Sequence, residues 1–148
     1  MNTNRVSYTL DSTLETVNQA EQTAAKFARQ VGFDDDTADK ISMSVREAVV
    51  NAVLHGNHYD PAKKVRLAFD YDTRALTIRV ADEGNGLDIS RVPDPLAPEN
   101  LLKTSGRGIF LIRSYMDEVQ IRPLEPGTEL TLIKYVRGTT ADTKESLQ

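Results

Sequence analysis

The sequence predicts an α+β fold, a two-layer sandwich in which a mixed, mostly antiparallel sheet carries helices on one face. Three observations predict it. Segments with a period of two and segments with a period near 3.6 are both present. They run in the order strand, two helices, hairpin, long loop, helix, hairpin, without the strict alternation of a doubly wound fold. The 148 residues, 39% hydrophobic and 27% charged, suit one core of that kind and leave no room for a second full domain.

Val6, Tyr8 and Leu10 alternate with polar neighbours as a strand does, and Asp11-Ser12 then supplies helix-capping side chains. Leu14, Val17, Ala20, Ala24, Phe27, Ala28 and Val31 recur at spacings of three and four, which predicts an amphipathic helix over about 13–31, stopped by Gly32. The acidic run from Asp34 to Thr37 suits the start of a second helix, whose dipole favours negative charge there. That helix is expected to continue to His55-Gly56-Asn57. Residues 63–70 and 75–81 read as two strands of a hairpin joined through 71–74. Leu87 to Thr104 holds Pro93, Pro95 and Pro98 and little periodicity, so it reads as a long loop, which in a compact domain is usually functional or mobile. A helix follows the glycines of Ser105-Gly106-Arg107-Gly108, and 118–122 with 128–136 close the fold as an antiparallel pair. The domain is expected over 1–137, with 138–148 a polar, disordered tail.

Composition removes several classes of function. With no cysteine and two histidines, disulfides, thiolate zinc sites and cysteine nucleophiles are absent, and a transition-metal cage is poorly supplied. Eighteen basic against 22 acidic residues, a net charge of -4, lack the basic footprint of a nucleic-acid binder. MNTNRVSYTLDS has no apolar h-region and no stretch is long and apolar enough for a membrane span, so a cytoplasmic chain is expected.

Three places carry chemistry. In the second helix Glu47, Asn51 and His55 lie four apart on one stripe, extended by Lys40 and Ser44, although the rest of the later half is apolar. The stripe reads either as the solvent face of a half-exposed helix or as the wall of a site. Asp82-Glu83-Gly84-Asn85-Gly86 follows a strand, either as a hairpin turn or as a carboxylate beside bare backbone that a heterocycle can approach. Ser105 to Gly108 opens a helix, either as a hinge or as a phosphate-binding N-terminus to which Lys103 or Arg107 adds charge. No GxxxxGK[ST] is present, which excludes a P-loop.

In order, EAVVNAVLHGN, DEGNG, SGRG before a helix and GTELTLIK resemble the N, G1 and G2 boxes and terminal strand of the GHKL, or Bergerat-fold, ATP-binding superfamily, over about residues 40–134. The HGN ending, short lid and single-domain size are similar to the bacterial anti-sigma-factor serine kinases, switch proteins of general stress response and sporulation. The resemblance implies that Asn51 coordinates the Mg2+ bridging the ATP phosphates and that Glu47 positions or deprotonates the attacking hydroxyl. It implies that Asp82 accepts from the adenine amino group, that Gly84 and Gly86 shape the adenine pocket and that Thr128 contacts the base through water. Ser105, Gly106, Arg107 and Gly108 would form the phosphate side of the lid. Family lids often carry a basic residue just before the Ser-Gly, where this chain has Thr104, with Lys103 before it. His55 would be a structural residue of the N box and His58 a loop residue.

The activity implied is that of a serine/threonine protein kinase and anti-sigma factor, which phosphorylates a STAS-type anti-anti-sigma protein and otherwise sequesters a sigma factor. A homodimer is implied too, with the first strand and helix as contributors. The alternative from another class is a non-catalytic, nucleotide-gated protein-binding module of the same fold.

Overall fold

The computed structural model describes residues 4–84 and 108–136. The expected loop at 87–104 and the tail at 138–148 lie outside them. The elements are β1 (Asn4–Asp11), α1 (Leu14–Val31), α2 (Asp35–Val50) running on into a π-helical turn (Asn51–Gly56), β2 (Lys64–Tyr71), β3 (Ala75–Ala81), α3 (Gly108–Tyr115), β4 (Glu118–Pro123) and β5 (Thr128–Tyr135).

Local chemistry sets the helix ends. Thr13, not Ser12, caps α1, its hydroxyl accepting from the Thr16 N–H at 3.2 Å. At the other end Gly32 takes φ +113°, with its N–H on the Arg29 carbonyl and the Phe33 N–H on the Ala28 carbonyl, a Schellman stop that favours glycine. Asp34 caps α2 by accepting from the Thr37 N–H at 2.8 Å.

The five strands form one sheet in the order β1-β2-β3-β5-β4, with every described pair antiparallel. Antiparallel register lines up side chains of like facing across all five. One row runs Val6, Phe69, Ile78, Leu132, Val119, and the next Tyr8, Leu67, Val80, Leu130, Ile121. Phe69, Leu67, Ile78, Val80 and Leu132 are buried beneath the helices with Val17, Ala24, Phe27, Ile41, Val45 and Val49. Phe27 stacks on Phe69 with ring centroids 4.8 Å apart and joins α1 to the sheet. The other face is polar: Asp70 on β2 takes Arg5 from β1 and Arg79 from β3.

The closing hairpin does not simply add outside β3. Its second strand, β5, pairs with β3 and leaves β4 at the edge. That insertion brings Thr128, at the start of β5, beside Asp82, just past the end of β3, where the Asp82 N–H donates to the Thr128 carbonyl at 3.0 Å. The candidate site forms at this end of the sheet.

Candidate active site

α2 presents its polar stripe against α3. Ser44 is fully buried, its hydroxyl turned back to the Lys40 carbonyl. Glu47 and Asn51 are partly buried and converge on the first residue of α3. A β-carbon on Gly108 would stand 3.0 Å from Glu47 Oε2 and 3.8 and 3.9 Å from the two amide atoms of Asn51. Glycine at 108 leaves the Glu47 carboxylate room at the helix N-terminus, while Asn51 stands at ordinary van der Waals distance from it. The buried Asn51 Nδ2 has no hydrogen-bond partner among the described residues, which leaves an amide with about 1–3 kcal/mol of unrecovered desolvation. The stripe is therefore not an ordinary solvent face. At the far end of α3, Lys40 lies over the Tyr115 ring and Lys134 Nζ donates to the Tyr115 carbonyl at 2.9 Å, which fixes the helix against α2 and β5.

At Asn51 the hydrogen bonding slips to i→i+5, with the Asn57 N–H reaching the Ala52 carbonyl at 2.8 Å. Single π turns of this kind are often found at functional sites. The turn ends with His55 exposed rather than packed, and with Gly56 under Asp82. His58 follows at φ +52° and is exposed too.

Asp82 sits in a cradle of glycines. The residue is only 8% exposed. A β-carbon at Gly56 would meet its carboxyl carbon at 2.4 Å, one at Gly84 would run into the Gly56 carbonyl, and one at Gly127, where φ is +110°, would run into the Asp82 carbonyl. Such approaches demand bare backbone. Burial pushes the Asp82 carboxyl above its ordinary range; backbone hydrogen bonds with Gly84 and Thr128, and then the Lys63 charge, pull it back part of the way. The Gly84 N–H donates to Asp82 Oδ1 at 3.0 Å. A largely buried carboxylate beside bare backbone can accept from a flat, donor-bearing ligand.

The structure thus brings Glu47, Asn51 and Gly108 together at one point, and Asp82, Gly84 and Thr128 together at another, linked by the π turn. Gly86, Lys103, Ser105, Gly106 and Arg107 lie outside the described residues. Sequence reasoning missed Gly56 and Gly127 as walls of the Asp82 cradle. It also missed Asn57, which is fully buried and accepts from the Glu83 N–H at 2.8 Å. The signals were the HGN triplet and the glycine after Pro126, which on their own look like turn residues.

A magnesium ion fits the donor chemistry at Asn51. An amide oxygen is a hard ligand of the kind Mg2+ takes, and Mg2+ usually completes its shell with substrate phosphates and water. Among the described residues no group of three or more His, Cys, Asp or Glu is placed to hold a metal alone. Phosphate oxygens would have to supply the remainder.

Known proteins resemble this chain over most of its length. Residues 10–134 match the family model for a histidine kinase-like ATPase domain. The chain is 33% identical over 136 residues to the anti-sigma F factor of Oceanobacillus iheyensis, covering 88% of this chain and 92% of the relative. It is 27% identical over 134 residues to the serine-protein kinase RsbW of the same organism, covering 86% and 84%. Against RsbW of Bacillus subtilis the identity is 29% over 126 residues, covering 81% and 78%. Among solved structures, the RsbU and RsbW domains of a Mycobacterium tuberculosis protein superpose with a TM-score of 0.64 at 18% identity. That likeness covers 90% of this chain but 33% of the longer one, and concerns the fold. With the family model matched over residues 10–134, which include α1, the converging stripe and the Asp82 cradle, the chain belongs to the histidine kinase-like ATPase family.

Proposed function

We propose that this chain is an anti-sigma factor and protein serine kinase, which uses Mg-ATP to phosphorylate an anti-anti-sigma partner of the STAS type and otherwise sequesters a sigma factor. The observation that carries it is the pair Glu47 and Asn51 at the start of α3, a carboxylate and an amide whose buried Nδ2 has no partner among the described residues. Relatives named serine-protein kinase and anti-sigma F factor support the same reading.

In this reading Asp82 accepts from the adenine amino group, and Gly84, Gly86 and Thr128 shape the pocket around the base. Ser105, Gly106, Arg107 and Gly108 offer N–H groups to the phosphates, with Lys103 or Arg107 adding charge. Asn51 would hold the Mg2+, which would supply charge neutralisation at the phosphates. Glu47 takes the proton of the serine hydroxyl as its oxygen attacks the γ-phosphorus. The new O–P bond forms while the bond to the bridging oxygen breaks, and ADP leaves with that electron pair.

The reading includes a homodimer and a cytoplasmic setting, where ATP and transcription factors meet. No helix among the described residues is long and apolar enough to cross a membrane.

The test is to recover the tagged chain from its own cells with its partners, add Mg-ATP and search by mass spectrometry for a new phosphoserine. A small partner should gain one phosphate, and Glu47→Ala and Asn51→Ala should abolish the gain. Partners that stay unmodified while ATP or ADP changes which of them remains bound would overturn the kinase reading in favour of a nucleotide-gated binding module.

A further inference from the structure

We infer that Asn57 is a positioning residue for base recognition: it locks the peptide after Asp82 so that the Asp82 carboxylate points at the ligand's exocyclic amine. The inference rests on the reading of Asp82 as the adenine acceptor.

Asn57 is fully buried at the end of the π turn, with its amide oxygen and both amide N–H groups hydrogen-bonded. Oδ1 accepts from the Glu83 N–H at 2.8 Å, while Nδ2 donates to Ser12 Oγ at 2.9 Å and to the Lys64 carbonyl at 3.0 Å. Ser12 in turn donates to the Lys63 carbonyl at 2.6 Å, and the Glu83 carboxylate accepts from the Lys64 N–H at 2.5 Å. One side chain therefore ties the end of the α2 segment, the start of β2, the β1–α1 junction and the Asp82 turn into one unit.

The consequence falls on Asp82. The peptide before it is held through its own N–H on the Thr128 carbonyl, and the peptide after it through the Glu83 N–H on Asn57. With both flanking peptide planes fixed, φ and ψ of Asp82 are fixed, and so is the direction of its Cα–Cβ bond. Gly56, packed against the carboxyl, and the Gly84 N–H, which donates to Oδ1 at 3.0 Å, then leave the carboxyl little room to swing. Only asparagine offers one acceptor and two donors at this reach; aspartate keeps the acceptor and loses both donors.

The readout is selectivity, which a merely structural role would not move. Equilibrium affinities are measured on the full chain for ATP and for purine riboside triphosphate, which lacks the exocyclic amine. The wild type is expected to favour ATP about tenfold or more, the size of a hydrogen bond to a charged acceptor. Asn57→Ala should compress that preference to about threefold or less, because a misaimed acceptor discriminates little. Ser12→Ala, which breaks the same network on its other side but leaves the Glu83 bond, should lower the melting temperature and keep the wild-type preference. If Asn57→Ala does not fold, Asn57→Asp carries the test: it retains an oxygen for the Glu83 N–H and should hold the preference.

An Asn57→Ala chain with the wild-type preference overturns the proposal. So does a Ser12→Ala or Asn57→Asp chain whose preference collapses. A wild type that binds the two nucleotides equally overturns the reading of Asp82 as the amine acceptor, and this inference with it.

Discussion

The carboxylate of Glu47 occupies the space in which a side chain at Gly108 would begin, with 3.0 Å between Oε2 and the position of a β-carbon there. The start of α3 is thus shaped around the carboxylate of α2. Gly108→Ala tests this contact. Glu47 is the movable end of a flexible side chain, so the methyl group should displace it at little cost, with stability changing by less than about 1 kcal/mol. Phosphoryl transfer should fall by about 10- to 100-fold, because misplacing a proton acceptor by a fraction of an ångström is costly. Thermal melting and partner phosphorylation, measured on the same preparation, separate the two effects.

Asn51 should show function and stability pulling apart. Asn51→Leu removes a buried amide whose Nδ2 has no partner among the described residues, so the melting temperature should hold or rise, by a gain of up to about 1 kcal/mol. The magnesium dependence of ATP affinity should disappear with the amide oxygen. Titrating nucleotide with and without Mg2+ checks the second outcome, and calorimetry the first.

Two glycines near Asp82 should fail in different ways when given a methyl group. At Gly84 the obstacle is the Gly56 carbonyl, 2.1 Å from the β-carbon position, and backbone can move only by distorting the π turn. Gly84→Ala should therefore cost stability, about 1–3 kcal/mol by denaturant titration. At Gly56 the obstacle is the Asp82 carboxyl itself, at 2.4 Å. Gly56→Ala should push that carboxyl aside and weaken ATP binding more than folding.

Acid titration should separate Asp70 from Asp82. The hydrogen bond from Arg5, with Arg79 assisting, holds the Asp70 carboxyl below its ordinary range of 3.8. Below that range the unfolded chain binds the proton more tightly, so the contribution of Asp70 is complete above it and is lost as pH falls through the depressed folded value. Asp70→Asn should lower the melting temperature at neutral pH and converge with the wild type in acid. Asp82 has the opposite sign. Its carboxyl is raised by burial, so its contribution declines as pH climbs from the unfolded value through the raised folded one, and ionised Asp82 costs stability at neutral pH. ATP affinity should in turn weaken as pH drops through the raised value, since an acceptor carboxyl must be ionised.

Local chemistry made much of this fold legible. The alternation of Val6, Tyr8 and Leu10, the spacing of the α1 core residues and the Asp34 cap each act within a few residues of themselves, and the structure carries them where the patterns pointed. Ser12 and Thr13 show the limit. Both are good caps, and only the distant Asn57 and Lys63 decide that Ser12 turns away and Thr13 caps. The slip to π bonding at Asn51 has no residue-type signature, since one turn of it scarcely changes the hydrophobic period. Gly56 and Gly127 are needed because Asp82 packs against them: the first contact exists only once the π turn meets the end of β3, the second only once β5 has inserted beside β3. The ordered boxes pointed to Glu47, Asn51 and Asp82 as candidates, but not to the fully buried Asn57 behind them.

The most direct test of the account is a single-turnover experiment with γ-labelled ATP, saturating Mg2+ and the co-purified partner, comparing wild type with Glu47→Gln. The glutamine variant should bind ATP as tightly as the wild type yet transfer phosphate to serine at least about 100-fold more slowly, as expected when a proton acceptor is removed. Transfer at the wild-type rate would contradict the assignment of Glu47 and with it the catalytic reading of the α2–α3 contact.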